Sequence, residues 1–556
     1  MTNNMKWKNL LWLAFLLLTT GAFPQTKTLD RQYVPIILSN SVPPIYNINI
    51  NEWTAFRYDR SSKTWHGVPF QVDEVRVTGH YQRDVTQIYP EIDQNDEIVF
   101  MPEDLGDRAP QSAWVDVTGS DKVDRIEVQI TDPLDTGKTG WLYLFKNVNN
   151  PPIIPGYFTY GKPATTTSAD TLITNSYRLV HNGVGMPEKL SFSPAFSGDF
   201  IDRLKFRFSG KPALGSAYNI TENGLYAQTS PLSTFPGSVR YFRDVRDRIK
   251  IPITLVGDKD FNPNLQYFPY SVSGQVSLDI TGGYISLAGV KLIRLSVDLA
   301  PDAAGMNFFS EKNSAGQPIN GSPDTPDKTI TDPNTLNWFM ATGPQGTVVM
   351  NLKLPAVENA TTQLYYRDNS AGGSADGTDD TGDNQSWGDM GIYISTTGDY
   401  ISTTKLEVVF TMYFINQNFT ANAAEMGDKI RDWQENPCTV SAVLQSYDAT
   451  RINKKTYKPT TFQMSQPYPN PFHHQSGSLA FSFTSAKQRD DYTLTIYNIL
   501  GQEIRRYANI YALKDSKRIV FWDGRNSGGV LVMPGTYFYK LQNSRDSLTG
   551  KFIIIP

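Results

Sequence analysis

Along most of this chain apolar and polar residues alternate. In 125–130, Ile126, Val128 and Ile130 alternate with Arg125, Glu127 and Gln129, and in 203–208, Leu204, Phe206 and Phe208 alternate with Arg203, Lys205 and Arg207. A period of two sends successive side chains to opposite faces of an extended backbone, the pattern of a half-buried strand. The alternation recurs in 275–280, 293–299 and 406–410, with Gly, Pro, Asn and Asp clusters marking turns between the runs. Only 421–434 reads as a helix of useful length. Strands in long succession with almost no helix between them predict a mainly β, multi-domain chain of antiparallel β-sandwiches rather than a parallel α/β sheet. Neither glycine fingerprint of a nucleotide-binding fold is present, so no nucleotide is expected.

A length of 556 residues corresponds to three or four domains at roughly 150 residues each. Lys6 and Lys8 precede an apolar run over 10–18 and the small residues Thr19, Thr20, Gly21 and Ala22. This predicts a signal peptide over 1–25, cleaved near Ala22 to Gln25. The run is far shorter than the roughly 20 apolar residues that span a bilayer, and no transmembrane span is expected elsewhere. The mature chain divides on sequence into a β domain over 26–150, ending at Asn149-Asn150-Pro151-Pro152, a large sandwich over 151–455, and a module over 456–556. The central part is either one sandwich or two, with a turn-rich division near 310–334.

Charge and cysteine count narrow the function classes. Lys and Arg number 51 against 55 Asp and Glu, a formal charge of -4, which gives no global reason to bind nucleic acid. Cys438 is the only cysteine, so an exported chain must hold together without an internal disulfide. Histidines occur at 66, 80, 181, 473 and 474 without recognisable ligand spacing, so neither zinc nor haem is expected.

The last module carries ordered motifs: Gln466-Pro467-Tyr468-Pro469-Asn470-Pro471-Phe472, then 492–503 (YTLTIYNILGQE), then Phe521-Trp522-Asp523-Gly524-Arg525-Asn526, then 534–541 (PGTYFYKL). Leu494 and Ile496 face a core, and Asp523-Gly524 is a strong turn dipeptide. On these motifs, about 95 residues over 462–556 closely resemble the type A carboxy-terminal sorting domain of the type IX secretion system, which overlaps the immunoglobulin-like domain of flagellar hook-capping proteins. The resemblance implies an Ig-like sandwich that addresses the protein across the outer membrane after periplasmic transit, to be secreted or held at the surface, with the type IX machinery as partner.

Three clusters are candidate chemistry. Asp93, Asn95 and Glu97, with Asp96 beside them, could aim oxygen ligands at one hard cation such as calcium, although a polar hairpin explains them as well. The stretch 69–100 is similar to uncharacterised secreted β-rich proteins, some associated with polysaccharide breakdown. Between Asp368 and Gly391 lie six Asp and no Lys or Arg; Asp376, Asp379, Asp380 and Asp383 are candidate calcium ligands at the rim of a binding site beside Trp387, or else members of a solvated loop. Arg240, Tyr241, Arg243 and Arg246 could line a groove for an acidic polysaccharide through bidentate pairing and stacking, or form a mutually paired face with Asp244 and Asp247. Gly-x-Ser-x-Gly and His-Glu-x-x-His are absent. The leading expectation is a surface protein that binds carbohydrate, against a polysaccharide-active hydrolase or lyase, or a structural or adhesive protein.

Overall fold

The computed structural model describes residues 25–38, most of 45–446 and most of 463–555; the longest stretches outside the description are 1–24, 82–91, 116–123, 162–169, 251–257, 280–288, 374–380 and 447–462. The expected signal peptide therefore lies almost wholly outside the described residues. The chain forms two compact units, Met1–Tyr447 and Asp448–Pro556, both built from antiparallel β-sheets, as the alternation predicts.

In the first unit, a five-stranded sheet runs in the order Thr439–Ser446, Asp124–Thr131, Thr139–Lys146, Trp53–Asp59 and Thr64–Gly67. Ile126, Val128 and Ile130 point inward, fully buried, against Ile36, Leu38, Ile98 and Phe100 of a three-stranded sheet. The strand Thr439–Ser446, which belongs on sequence to the span 151–455, closes this sheet instead, with Val440 opposite Ile130 and Leu444 opposite Ile126. A period-two run shows that a strand exists but carries no mark of its partner.

The larger core lies between two further sheets. One has the order Tyr218–Thr221, Arg203–Gly210, Val290–Leu299, Ser386–Thr396 and Ala360–Asn369; the other is a ten-stranded sheet from Leu225–Phe235 to Asn313–Pro318. A four-stranded sheet, from Thr159–Gly161 to Pro187–Phe192, adds Leu172, Leu179 and Leu190 to the same core. Phe308, Ile319 and Phe339 belong to it as well, so apolar packing is continuous across 310–334. On the outer face of the ten-stranded sheet lies the helix Ala423–Glu435. Its buried stripe of Ala423, Met426, Gly427, Ile430 and Trp433 follows the helical i, i+3, i+4 spacing and covers Trp338, Met340 and Tyr413. Gly427 sits where a Cβ would come within 2.5 Å of the Trp338 ring.

The second unit is a small sandwich of a three-stranded and a five-stranded sheet. Phe472, Phe481, Leu494, Ile496, Trp522 and Phe552 fill its core. The motif residues have structural work: Trp522 Nε1 donates to Arg525 O at 2.7 Å, and Asn470 Oδ1 accepts from the Ile553 N–H at 2.9 Å. The short pair Phe472–His473 with the chain end is parallel; the other strand pairs of this unit run antiparallel.

Candidate functional site

Three neighbouring strands of the central five-stranded sheet stand in a register that stacks their polar positions. Arg203 lies opposite Asp298, Lys205 opposite Ser296, and Arg207 opposite Arg294. Alternation places Leu204, Phe206, Leu295 and Val297 in the core on one face and the polar set on the other. That other face is not solvated: Lys205, Arg207, Arg294, Ser296 and Asp298 are each 2% exposed or less. Charged groups this deep require partners, and the chain supplies them. Lys205 Nζ is 2.5 Å from Asp298 Oδ2 and donates to Gln385 O at 3.0 Å. Arg207 pairs with Glu222 at 2.6 Å and donates to Thr381 Oγ1 at 3.1 Å. Arg294 donates to the Tyr365 hydroxyl and its guanidinium lies 4.4 Å over that ring.

Thr381, Gln385 and Trp387 thus bind the end of the acidic stretch to this face. The Trp387 N–H donates to Asp298 Oδ1 at 3.0 Å, and its half-buried indole Nε1 donates to Gln385 Oε1 at 2.8 Å. Gly382 has φ +81° and approaches so closely that a Cβ would lie 2.0 Å from Asp202 Oδ2. Only glycine meets both conditions. The approach delivers Asp383: Asp202, Asp298 and Asp383 each present a carboxylate oxygen, all within 4.8 Å of one another. Asp389 is fully buried, and neither of its oxygens has a hydrogen-bond partner. Burial first, then the neighbouring Asp389, pushes the Asp298 carboxyl well above the ordinary carboxylate range, with Lys205 opposing. Burial likewise raises Asp202, against the pull of Arg203. Asp202, Asp298, Asp383 and Asp389 thus gather oxygen atoms beside Lys205 and Arg203, the type of donor that a divalent hard cation prefers.

The residues singled out on sequence have diverse placements. Arg240 is fully buried and pairs with Glu97 at 2.7 Å and with Asp73; Glu97 also accepts from the Tyr81 hydroxyl at 3.0 Å. Glu97 is thereby an ion-pair partner of Arg240, while Asp93 and Asn95 lie outside the described residues. Arg243 is fully buried on Asp170 at 2.8 Å, and Tyr241 is 2% exposed. As placed, Arg240, Tyr241 and Arg243 line no groove, because their neighbours across the fold supply the partners expected from a ligand; Arg246 is exposed. Asp376, Asp379 and Asp380 lie outside the described residues, and Asp383 joins the carboxylate cluster. Asp368 acts as a staple: its carboxylate accepts from the N–H groups of Asn320, Gly321 and Gly388 at 2.8 to 3.2 Å. Asp202, Lys205, Asp298 and Asp389 escape sequence reasoning because the polar phase of a strand reads as solvent-facing. The available signal is the repeated charge within that phase, at Arg203, Lys205 and Arg207.

No family model matches the chain, and no curated protein matches it. Solved structures give slight likenesses. A polysaccharide lyase superposes with a TM-score of 0.20 at 10% identity, over 68% of this chain and 46% of that one. Dimeric latent PorU from Porphyromonas gingivalis gives 0.15 at 11% identity, over 97% and 48%. PorZ, an essential surface component of the type IX secretion system of the same bacterium, gives 0.13 at 10% identity, over 72% and 75%. The chain spans about half the length of the first two. Superpositions this slight carry no functional argument. Among the described residues no helix is long and apolar enough to cross a membrane.

Proposed function

We propose that this is a surface protein exported by the type IX route, whose central sandwich binds carbohydrate beside a calcium ion held by Asp202, Asp298 and Asp383. The observation that carries the reading is the convergence of these three carboxylates beside the backbone of Trp387, whose N–H donates to Asp298. A cation there would meet oxygen donors and fix the loop that carries Trp387, whose half-buried ring is of the type suited to stack on a sugar face. Export through 462–556 is supported by the module's independent core and by Phe521, Val530, Leu531 and Met533, which stand 44 to 78% exposed and offer the machinery an apolar surface. A glycoside hydrolase calls for two carboxylates converging in an open cleft, and Asp298 and Asp389 are both closed to solvent, so this pair favours binding over hydrolysis.

The test has two parts. Millimolar calcium should raise the thermal midpoint of the full chain relative to chelator, and Asp298→Asn or Asp383→Asn should abolish the difference; an unchanged midpoint in the unaltered protein refutes the cation. A glycan array run with and without calcium then reads the ligand, with Trp387→Ala expected to lose it. Deletion of 462–556 should leave the remainder in the periplasm, and surface exposure of the truncated chain would refute the export route.

A further inference from the structure

The inner faces of the two central sheets do not close everywhere. Between them lies a cavity of about 270 Å³. One wall is Leu204 and Phe206 with Leu295, and the other is Val276, Met350 and Phe410. Protein interiors ordinarily pack to the density of organic crystals with few voids larger than a water molecule, so a void of this size in the middle of a sandwich is exceptional. Its position is marked by a second feature. Leu204, Phe206, Val276 and Leu295 point between the sheets yet are only half-buried, whereas Ile392, Ile394 and Phe414 in the same core are 1% exposed or less. The sandwich therefore opens at one end, where the half-buried Glu188 and Glu222 and the exposed Asn223 form the lip.

We propose that this cavity is a binding site for one aliphatic chain, an alkyl or acyl group of about ten carbons inserted between the sheets with its polar end at the lip. Several features select this class. Most of the wall is apolar, although Lys205 and Ser296 also border it, and predominantly apolar cavities take up apolar ligands. The volume is nearly twice the ~150 Å³ that admits benzene, enough for a chain and far too little for a peptide strand with side chains between sheets about 10 Å apart. Met350 and Met412 lie in the wall, and their unbranched thioethers repack around occupants of varied shape. At the lip, Glu222 is engaged by Arg207 and Arg203 lies 3.2 Å from Asp202, while Glu188 adds a further negative charge, so an uncharged head such as a hydroxyl or ester is preferred to a free carboxylate.

The experiment is calorimetric titration and thermal shift of the full chain with 1-decanol, decanoate and 1-butanol, each below its solubility limit or micelle concentration. Binding of 1-decanol at one site per chain, with decanoate at least tenfold weaker and 1-butanol undetectable, is expected. Leu295→Trp fills the cavity from one sheet and Val276→Phe from the other; each should weaken decanol binding by tenfold or more and remove its effect on the midpoint. Leu295→Met, which keeps the volume nearly constant, should bind as the parent does. Should one filling variant fail to fold, the other carries the test. No binding of 1-decanol, or undiminished binding in a folded filling variant, overturns the proposal. Calcium response should be intact in all three variants, which separates this site from the carboxylate cluster.

Discussion

Replacing Arg243 by Met should destabilise the protein by an amount that depends on pH in a direction opposite to the usual acid sensitivity of a buried histidine. Arg243 is held by Asp170 through two nitrogen atoms, at 3.1 and 2.8 Å, and by Gly185 O at 3.0 Å. Asp170 also accepts from the Tyr160 hydroxyl at 2.9 Å and lies 3.1 Å from His181 Nδ1. Burial, then the charge of Arg243, holds His181 down to about 4. Burial opposes ionisation of Asp170, but His181 and then Arg243 outweigh it and lower its carboxyl to about 2, so it stays ionised throughout the range of interest. With its folded value below the ordinary 6.5, His181 gives stability that is full above pH 6.5 and lost as pH falls toward 4, because the unfolded chain takes up the proton first; the loss reaches about 2 kcal/mol at pH 5. In Arg243→Met the buried Asp170 loses its cation, a defect of about 3–5 kcal/mol at pH 8. Burial still disfavours the imidazolium, but the repulsion from Arg243 that added to it has gone too. As pH falls His181 gains a proton, replaces the missing cation and offsets the defect, so the deficit against the parent should shrink by at least about 2 kcal/mol at pH 5. Urea unfolding of both proteins at pH 8 and pH 5, followed by tryptophan fluorescence, measures it. An equal deficit at both values, or one below about 1 kcal/mol at pH 8, would refute the reasoning.

Burial pushes Asp104 up to about 7 although the Tyr157 hydroxyl and the Met101 N–H both donate to it. Its contribution is full below pH 3.8 and is lost as pH rises to 7, so Asp104→Asn should match the parent at pH 4 and exceed it at pH 8 by up to about 4 kcal/mol in chemical denaturation. Gly427→Ala gains about 1 kcal/mol of helix propensity but drives a methyl to 2.5 Å from the Trp338 ring; a net loss of about 1–2 kcal/mol is expected in urea unfolding, and a gain would show that the helix can lift freely. Cys438 is half-buried against the first core, and burial raises its thiol to about 11. Maleimide should therefore label the native chain at pH 8 on the order of 100-fold more slowly than the urea-unfolded chain, and equal rates would place the thiol on the surface.

The local elements were legible from periodicity because each depends on a few neighbouring residues. Ile126, Val128 and Ile130 are buried as a set, Leu494 and Ile496 face the core of the last module, and the helix expected over 421–434 spans Ala423–Glu435. What periodicity cannot report is the identity of whatever covers a face. Lys205 and Arg207 alternate with apolar neighbours as surface residues do, yet residues about 180 positions away, Gln385 and Thr381, close over them. The same limit applies to Arg240. Its sequence neighbours Asp244 and Asp247 suggest a local charge-paired face, whereas its partners Asp73 and Glu97 are more than 140 positions distant. The carboxylate cluster was half visible: Asp383 stands out in an acidic stretch, but Asp202 and Asp298 become its neighbours only through sheet register and the approach of Gly382.

These long-range pairs share a logic that the single cysteine makes necessary. Arg31 donates to Asp132 at 2.8 Å and to Trp433 O at 3.2 Å, joining the amino-terminal segment to the first sheet and to the end of the helix. Arg240 joins the three-stranded sheet to the ten-stranded one, and Arg243 joins the ten-stranded sheet to the four-stranded one. Each guanidinium is closed to solvent, where the cost of removing the charge from water cancels much of the attraction, so such pairs add little net stability. Their effect lies in discrimination. Apolar surfaces of similar size tolerate displacement, but a planar guanidinium meeting a carboxylate in a dry interior tolerates almost none, and every mispaired arrangement leaves two charges buried without partners. A chain with a single cysteine cannot crosslink its sheets by an internal disulfide, and can in this way make the correct assembly far better than its neighbours without making it very stable. The amino-terminal sheet shows why that selectivity matters: its edge strand Thr439–Ser446 arrives some 300 residues after the strand it pairs with, Asp124–Thr131, and until then the edge of 124–131 is open to any other strand of a chain composed largely of strands.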